Sequence, residues 1–161
     1  MTGSFATATL VATQRAGAAL ADLLEPGDVV SLCGDLGAGK TSFAQGVAWG
    51  LGVDGPVVSP TFTILVVHEG RMTLYHFDLF RREDAGQLED VDFFGTLESG
   101  GVTLIEWGDR FPEALPTDRL EVEITIEGPE ARRFRVTGTG PRGGALATAW
   151  LAAVAGEEDA R

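Results

Sequence analysis

The sequence predicts an α/β fold: a three-layer sandwich around a central mixed sheet with parallel core strands and an antiparallel hairpin. Residues 28–33 (DVVSLC) and 102–107 (VTLIEW) are short, nearly continuous apolar runs, typical of strands buried on both faces of a parallel sheet. Residues 120–127 alternate apolar and polar side chains, and the extended run 132–137 follows, so the two predict the hairpin. Segments with helical spacing supply the outer layers.

The first buried strand is flanked by two predicted helices. Residues 9–24 have the spacing of an amphipathic helix, which Pro26 ends. Residues 40–51 have the same periodicity, with Phe43 and Val47 on one face. Helices on either side of a buried strand are typical of a layered α/β domain.

The middle of the chain predicts a second pair of strands. Residues 62–68 and 72–80 are extended runs separated by a Glu-Gly-Arg turn, so we expect them to pair as a hairpin. Residues 82–99 are polar and predict two short helices. Near the end of the chain, residues 144–155 predict an alanine-rich helix.

Length and composition predict one globular domain. The chain has 161 residues, and we expect a single domain over residues 1–156 with a polar tail at 157–161. The one cysteine, Cys33, excludes a disulfide framework and fits a reducing cytoplasm. The sequence has no apolar stretch of about 20 residues, so no membrane-spanning helix is expected. Arg15 interrupts the small-residue run near the N-terminus, so we expect no signal peptide and a cytoplasmic protein.

The charge balance argues against direct, tight binding to nucleic acid. Twelve basic residues against 24 acidic ones give a net charge of −12, which repels phosphate backbones. The sequence also contains no asparagine, and its only lysine is Lys40. The position of that lysine is therefore informative.

Residues 34–41 (GDLGAGKT) match the phosphate-binding pattern G-x-x-x-x-G-K-[ST] in full. Glycines let successive backbone N–H groups point at phosphate oxygens, and the helix that follows adds its N-terminal partial positive charge. Lys40 is placed to reach the outer phosphates, and the Thr41 hydroxyl to ligate Mg²⁺. At average composition the four fixed positions coincide at about one site in 30,000, so the pattern predicts a P-loop NTPase-like fold.

Two carboxylates end predicted strands. Glu106 follows the apolar residues 102–105, the usual layout of a Walker B strand, and Asp78 follows residues 74–77. The carboxyl ends of strands are where α/β sheets bind ligands, so both side chains are candidates for the phosphate site. Thr61, in a Ser-Pro-Thr segment, either senses the γ-phosphate or belongs to an ordinary proline-containing turn.

Four segments together resemble one family. They are GDLGAGKT (34–41), SPTF (59–62), YHFDLFR (75–81) and IEW (105–107). In this order and spacing they resemble the TsaE/YjeE family, the bacterial ATPases of tRNA threonylcarbamoyladenosine biosynthesis. The resemblance covers roughly residues 9–135. One departure is Phe80, where the family usually has tyrosine.

The resemblance implies an activity and partners. It implies a Mg²⁺-dependent ATPase, weak alone, that acts in a ternary complex with the TsaB and TsaD proteins. That machinery installs threonylcarbamoyl on adenosine 37 of tRNAs reading ANN codons. ATP and Mg²⁺ are then the cofactors, and tRNA is reached only indirectly.

The resemblance also implies roles for individual residues. The phosphates are held by Gly37, Ala38, Gly39, Lys40, Thr41 and Ser42. Thr41 and Glu106 bind Mg²⁺. The catalytic and switch residues are Lys40, Asp78 and Thr61. Leu10 and Arg132 lie near the adenine.

Three other functions are compatible with a phosphate-binding loop. A standard GTPase needs an Asn-Lys-x-Asp loop, which a chain without asparagine and with its one lysine already used cannot supply. A small-molecule P-loop kinase remains an alternative, because Arg81, Arg82 and residues 82–99 could form a lid. A nucleotide-dependent binding module, in which hydrolysis is incidental, also stays open.

Overall fold

The computed structural model describes residues 1–35, 37–57, 60, 64–80, 88 and 92–159. It has a seven-stranded mixed sheet with helices on both faces, which confirms the predicted α/β fold with parallel core strands. Within these described residues, no helix is long and apolar enough to cross a membrane.

The sheet has the strand order β1-β7-β6-β2-β5-β4-β3. The strands are β1 (Thr2–Thr7), β2 (Val29–Cys33), β3 (Leu65–Glu69), β4 (Thr73–Asp78), β5 (Val102–Glu106), β6 (Arg119–Ile126) and β7 (Arg132–Thr139). The four central strands β6, β2, β5 and β4 run parallel. Antiparallel strands complete both edges, so the carboxyl ends of the parallel strands meet at one end of the sheet.

The helices lie on both faces of this sheet. They are α1 (Leu10–Ala21), α2 (Lys40–Gly50), α3 (Phe93–Leu97) and α4 (Gly140–Asp159), with 3-10 turns at Gly108–Arg110 and Pro112–Ala114. Helices α1, α2 and α4 pack on one face in a large core that includes Phe43, Leu104 and Trp150. On the other face a smaller core contains Phe77, Phe93 and Ile105.

Helices α1 and α2 approach each other closely because glycine lies at their contact. A Cβ atom on Gly46 would come within 2.0 Å of the Gln14 carbonyl oxygen, so no larger residue fits without separating the helices. Gly17 on α1 is equally close to α2: a Cβ there would lie 2.5 Å from the Phe43 carbonyl oxygen. The helix that starts at the glycine-rich loop therefore packs closely against its neighbour.

The structure differs from the sequence-based expectations at both ends of the chain. Strand β1 was not predicted, because Phe5 is its only large apolar side chain. Helix α1 ends at Ala21 rather than at residue 24. Helix α4 is longer than the predicted 144–155: it begins at Gly140 and includes residues 157–159, which were expected to form a tail.

Candidate functional site

The glycine-rich loop joins β2 to α2 at the carboxyl end of the parallel strands. Gly34, Gly37 and Gly39 have φ angles of 149°, 81° and 103°, in the region that side chains disfavour. A Cβ on Gly34 would also lie 2.6 Å from the Ile124 carbonyl oxygen. The loop therefore requires glycine where the motif has it, and Gly39 immediately precedes the N-terminus of α2.

Lys40, the first residue of α2, turns back into this loop. Its side chain is 6% exposed, and Nζ donates hydrogen bonds to the carbonyl oxygens of Gly34 and, at 3.1 Å, of Asp35. Nζ also lies 4.2 Å from the ring centroid of Trp107. Burial lowers the pKa of Lys40 below its ordinary value, and the charges of Glu106 and Asp78 partly oppose that change.

Asp78 and Glu106 are the last residues of the adjacent parallel strands β4 and β5, and they are paired in register. Both are buried, at 7% and 4% exposed. Burial raises the pKa of the Asp78 carboxyl; the hydrogen bond that Oδ1 accepts from the Phe80 N–H, at 2.9 Å, opposes this increase. The structure thus brings two predicted site carboxylates together beside Lys40.

His76 also belongs to this cluster, although it is not among the site residues predicted from the sequence. It precedes Asp78 by two residues, so both side chains lie on the same face of β4. His76 Nε2 is hydrogen-bonded to Oε2 of Glu106 at 2.7 Å. The only signal in the sequence was this two-residue spacing, since Glu106 lies thirty positions away.

The backbone around the carboxylates is strained at two places. Trp107, directly after Glu106, has a φ of 62°, and Ile64 has a φ of 72°. A bulky or β-branched residue in the left-handed region is rare, and such residues cluster at functional sites. Ile64 accepts a hydrogen bond from the Asp78 N–H through its carbonyl oxygen, at 2.8 Å, so the strained position supports the end of β4.

Two residues expected near the adenine lie beside the turn between β6 and β7. Leu10 is partly exposed at the start of α1, and its N–H donates to Oε1 of Glu130 at 2.9 Å. Arg132 is buried, and Nε donates to the carbonyl oxygen of Ala38 at 2.8 Å. The guanidinium of Arg132 thus contacts the glycine-rich loop itself. Whether either residue contacts adenine stays a prediction.

The residues present fit a Mg²⁺ ion held jointly with phosphates. Thr41 is exposed in the first turn of α2, and Glu106 supplies a carboxylate at the end of β5. The described part of the chain has no group of three His, Cys, Asp or Glu residues that could hold a metal by itself. Mg²⁺ typically takes one or two protein oxygens and completes its shell with phosphates and water, so this sparse donor set suits it.

Some predicted site residues cannot be placed. Ser59, Thr61, Arg81 and Arg82 lie outside the described residues, and the predictions made for them stand as they were. Gly37, Ala38 and Ser42 follow the course of the loop and the first turn of α2 as the motif requires.

Comparisons with known proteins show which family this chain is similar to. The family model described as "Threonylcarbamoyl adenosine biosynthesis protein TsaE" matches residues 7–134. A protein named tRNA threonylcarbamoyladenosine biosynthesis protein TsaE in Bacillus subtilis (strain 168) is 44% identical over 119 residues, which are 73% of this chain and 74% of that protein. The protein of the same name in Streptomyces coelicolor is 41% identical over 148 residues, 87% of this chain and 97% of that protein.

A solved structure shares the fold. The crystal structure of Bacillus subtilis YdiB superposes with a TM-score of 0.79 at 34% sequence identity, and the match covers 94% of this chain and 95% of that one. The overall fold of this chain therefore has a counterpart determined by experiment.

Proposed function

Because the chain belongs to the TsaE family of tRNA threonylcarbamoyladenosine biosynthesis proteins, we propose that it is a Mg²⁺-dependent, cytoplasmic ATPase required for that modification at adenosine 37 of tRNAs reading ANN codons. In this proposal it acts in a complex with the TsaB and TsaD proteins and reaches tRNA only through them. The observation that carries the ATPase activity is the convergence of Lys40, Asp78 and Glu106 at one end of the sheet.

Lys40 has a direct role in binding the triphosphate. Its ammonium donates to the loop carbonyl oxygens of Gly34 and Asp35. On nucleotide binding it exchanges these acceptors for the outer phosphate oxygens, which are charged and bind an ammonium more strongly. Burial disfavours the ammonium of Lys40, and the nearby charges of Glu106 and Asp78 partly offset that effect, so the positive charge is placed where the phosphates arrive.

The carboxylates of Glu106 and Asp78 have different proposed roles in ATP hydrolysis. Mg²⁺, when bound, neutralises charge on the phosphates. Glu106 and the Thr41 hydroxyl are the ligands that this chain offers to it. Asp78 lies next to Glu106 and is proposed to orient the water that attacks the γ-phosphorus. The water oxygen forms a bond to that phosphorus as the bond to the β–γ bridging oxygen breaks; ADP leaves, and the protons of the water remain with the phosphate product. Thr61 is proposed to sense the γ-phosphate.

The test is phosphate release from ATP by the protein alone and with TsaB and TsaD, in Mg²⁺ and in EDTA. Lys40→Ala should lose more than about nine-tenths of the rate, since charge stabilisation at such sites is worth about a hundredfold. Circular dichroism checks that the variant is folded. A variant that keeps its rate would contradict the assignment.

The same assay separates the alternatives. A panel of small alcohols is added as phosphate acceptors, and formation of a phosphorylated alcohol would identify a small-molecule kinase instead. Threonylcarbamoylation of tRNA is then measured with TsaB and TsaD, with and without this protein. If modification proceeds equally in both cases, the proposed role in tRNA modification fails even where ATP hydrolysis is found.

A further inference from the structure

Arg132 lies underneath the glycine-rich loop. It is the first residue of β7, where it is paired with Thr7 of β1 and with Ile126 of β6. Its side chain is 7% exposed and runs beneath Gly39: a Cβ built on that glycine would find Arg132 atoms at 3.5 to 3.9 Å as its nearest neighbours. The Arg132 side chain thus extends from the central sheet and contacts the glycine-rich loop.

The guanidinium of Arg132 bridges this loop and the β6–β7 turn. Toward the loop, Nε donates to the Ala38 carbonyl oxygen at 2.8 Å and one terminal nitrogen donates to that of Gly37 at 3.3 Å. Toward the turn, the other terminal nitrogen donates to the carbonyl oxygens of Gly128 and Ala131 at 3.0 and 2.9 Å. The planar guanidinium directs its five N–H groups to both sides in a fixed geometry, whereas a lysine ammonium carries its three donors on a single nitrogen.

These contacts fix which way the loop peptides face. In a trans peptide the C=O of one residue and the N–H of the next point to opposite sides. Holding the Ala38 carbonyl oxygen against Arg132 therefore turns the Gly39 N–H away from the guanidinium. Holding the Gly37 carbonyl oxygen likewise orients the Ala38 N–H, which donates to Asp35 at 3.0 Å.

Within the described residues of the loop, one backbone hydrogen bond, from the Ala38 N–H to the Asp35 carbonyl oxygen, restrains these peptides. Gly37 and Gly39 have no Cβ and rotate with little steric resistance, so the peptides between them can turn over at low cost. A phosphate cradle needs the backbone N–H groups to face one way before the anion arrives. A fixed donor behind the loop supplies that restraint.

We propose that Arg132 is a positioning residue for triphosphate binding, acting through the carbonyl oxygens of Gly37 and Ala38. The proposal rests on the nucleotide-binding function proposed above. It assigns Arg132 to the phosphates, by way of the loop, and not to the adenine. The two roles make opposite predictions, because a base contact sets the preference for ATP over GTP whereas a loop restraint affects every ligand that carries the phosphates.

The experiment measures dissociation constants for ATP, GTP and inorganic tripolyphosphate by calorimetry. The variants are Arg132→Gln and Arg132→Lys. Arg132→Gln removes the positive charge and the guanidinium, whereas Arg132→Lys keeps the positive charge and an aliphatic stem but not the guanidinium. Arg133→Gln is the matched control, because Arg133 is the next residue, is exposed on the opposite side of β7 and pairs with Glu127. Circular dichroism and thermal unfolding establish that each variant is folded.

Both Arg132 variants should bind ATP and tripolyphosphate about tenfold or more weakly, since losing a hydrogen bond made by a charged donor typically has an effect of that size. The losses for the two ligands should be equal, and the ratio of ATP to GTP affinity should not change. Arg133→Gln should bind as the unaltered protein does. If Arg132→Gln does not fold, Arg132→Lys decides, because it keeps the stem beneath Gly39.

Three results would overturn the proposal. Loss of ATP affinity with unchanged tripolyphosphate affinity, accompanied by a changed ATP to GTP ratio, would assign Arg132 to the base. Full affinity in Arg132→Lys would show that charge alone suffices. Unchanged affinity in both variants would show that the contacts are dispensable. If the unaltered protein binds neither ATP nor tripolyphosphate, the proposed function itself fails, and that outcome is distinct from the other three.

Discussion

His76 Nε2 lies 2.7 Å from Glu106 Oε2, and both side chains are almost completely buried at the end of the parallel strands. A carboxylate removed from water needs a hydrogen-bond partner, and this one has a ring that β4 holds in place. His76 thereby fixes the direction of the side chain proposed to hold Mg²⁺. The arrangement parallels the outer partners that orient ligands in metal sites.

Replacing His76 by leucine should destabilise the protein more than the same change at His68. His68 is also buried, on the neighbouring strand β3, and each histidine has one ring nitrogen without a hydrogen-bond partner within the described residues: Nε2 of His68 and Nδ1 of His76. His76→Leu leaves the Glu106 carboxylate unpaired and should cost about 1–3 kcal/mol more than His68→Leu. Urea unfolding of the two variants measures the difference. Equal losses would mean that the hydrogen bond contributes nothing to stability.

Asp78→Asn should raise the free energy of unfolding at neutral pH. Burial raises the pKa of Asp78 above 3.8, so the fold favours the protonated carboxyl. Its stabilising contribution is present below pH 3.8 and is lost as the pH rises through the folded-state pKa. Asparagine keeps the acceptor for the Phe80 N–H and does not titrate, so the variant avoids that loss.

Urea unfolding of both proteins from acidic to neutral pH tests the direction of this effect. The stability gain of Asp78→Asn should grow with rising pH and disappear toward pH 3.8, while its rate of ATP hydrolysis falls. A variant that is less stable than the unaltered protein at neutral pH would contradict the proposed burial cost.

Glu106→Gln should weaken Mg²⁺-dependent hydrolysis more than metal-free nucleotide binding. The amide keeps an oxygen for His76 but removes the charge that attracts the ion. The Mg²⁺ concentration at half-maximal rate should rise roughly tenfold or more, because even outer partners of metal ligands are worth about 10–100-fold in metal affinity. Nucleotide affinity in EDTA is the control. An unchanged Mg²⁺ dependence would transfer the role to Asp78.

Cys33 should react slowly with alkylating agents in the folded protein. Burial, together with the nearby charge of Asp109, raises the pKa of its thiol to about 11. Compared with an ordinary thiol, the reactive thiolate is then about a hundredfold scarcer at neutral pH. Because Cys33 is the sole cysteine, iodoacetamide labelling followed by mass spectrometry reports this site alone. Labelling as fast as in the urea-unfolded chain would contradict the prediction.

Local patterns predicted the parallel core and the glycine-rich loop because each depends on neighbouring residues. The strand before the loop is a continuous apolar run, and the loop carries a glycine where φ is positive, as at Gly34 and Gly39. Strand β1 escaped prediction because its residues are mostly small and polar, and it is defined by pairing with β7. Register between distant strands is a tertiary property that periodicity does not contain.

Long-range packing explains the remaining differences. The predicted helix began at residue 144, whereas α4 begins at Gly140. Glycine at position 143 lets the start of the helix approach β6 closely, since a Cβ there would lie 2.2 Å from the Arg119 carbonyl oxygen. Contacts between residues that are distant in the sequence also limited the prediction of the site. The His76–Glu106 hydrogen bond and the contacts of Arg132 with the loop join residues that lie 30 and 94 or more positions apart. No single-sequence pattern pairs them.

The hydrogen-bond partners of the basic side chains, like the net charge, argue against direct binding to tRNA. Many of the arginines already have partners within the protein. Backbone carbonyl oxygens or carboxylates accept hydrogen bonds from Arg71, Arg110, Arg119, Arg132, Arg133 and Arg142. Lys40, the sole lysine, is buried in the glycine-rich loop. Among the residues that the structure describes, most of the cations that could contact a phosphate backbone therefore already have a partner within the protein.

The isolated protein should accordingly bind tRNA no more tightly than non-specific contacts allow, with a dissociation constant of roughly 10⁻⁶ M or weaker at physiological salt. The net charge of −12 opposes a polyanion, and arginines paired with Glu127 or Asp28 must first lose those partners. Fluorescence anisotropy with labelled tRNA measures this directly, with and without ATP. A mixture with TsaB and TsaD is the positive control, because the proposed complex reaches tRNA through them. Sub-micromolar binding by the isolated protein would instead identify an enzyme that recognises tRNA itself.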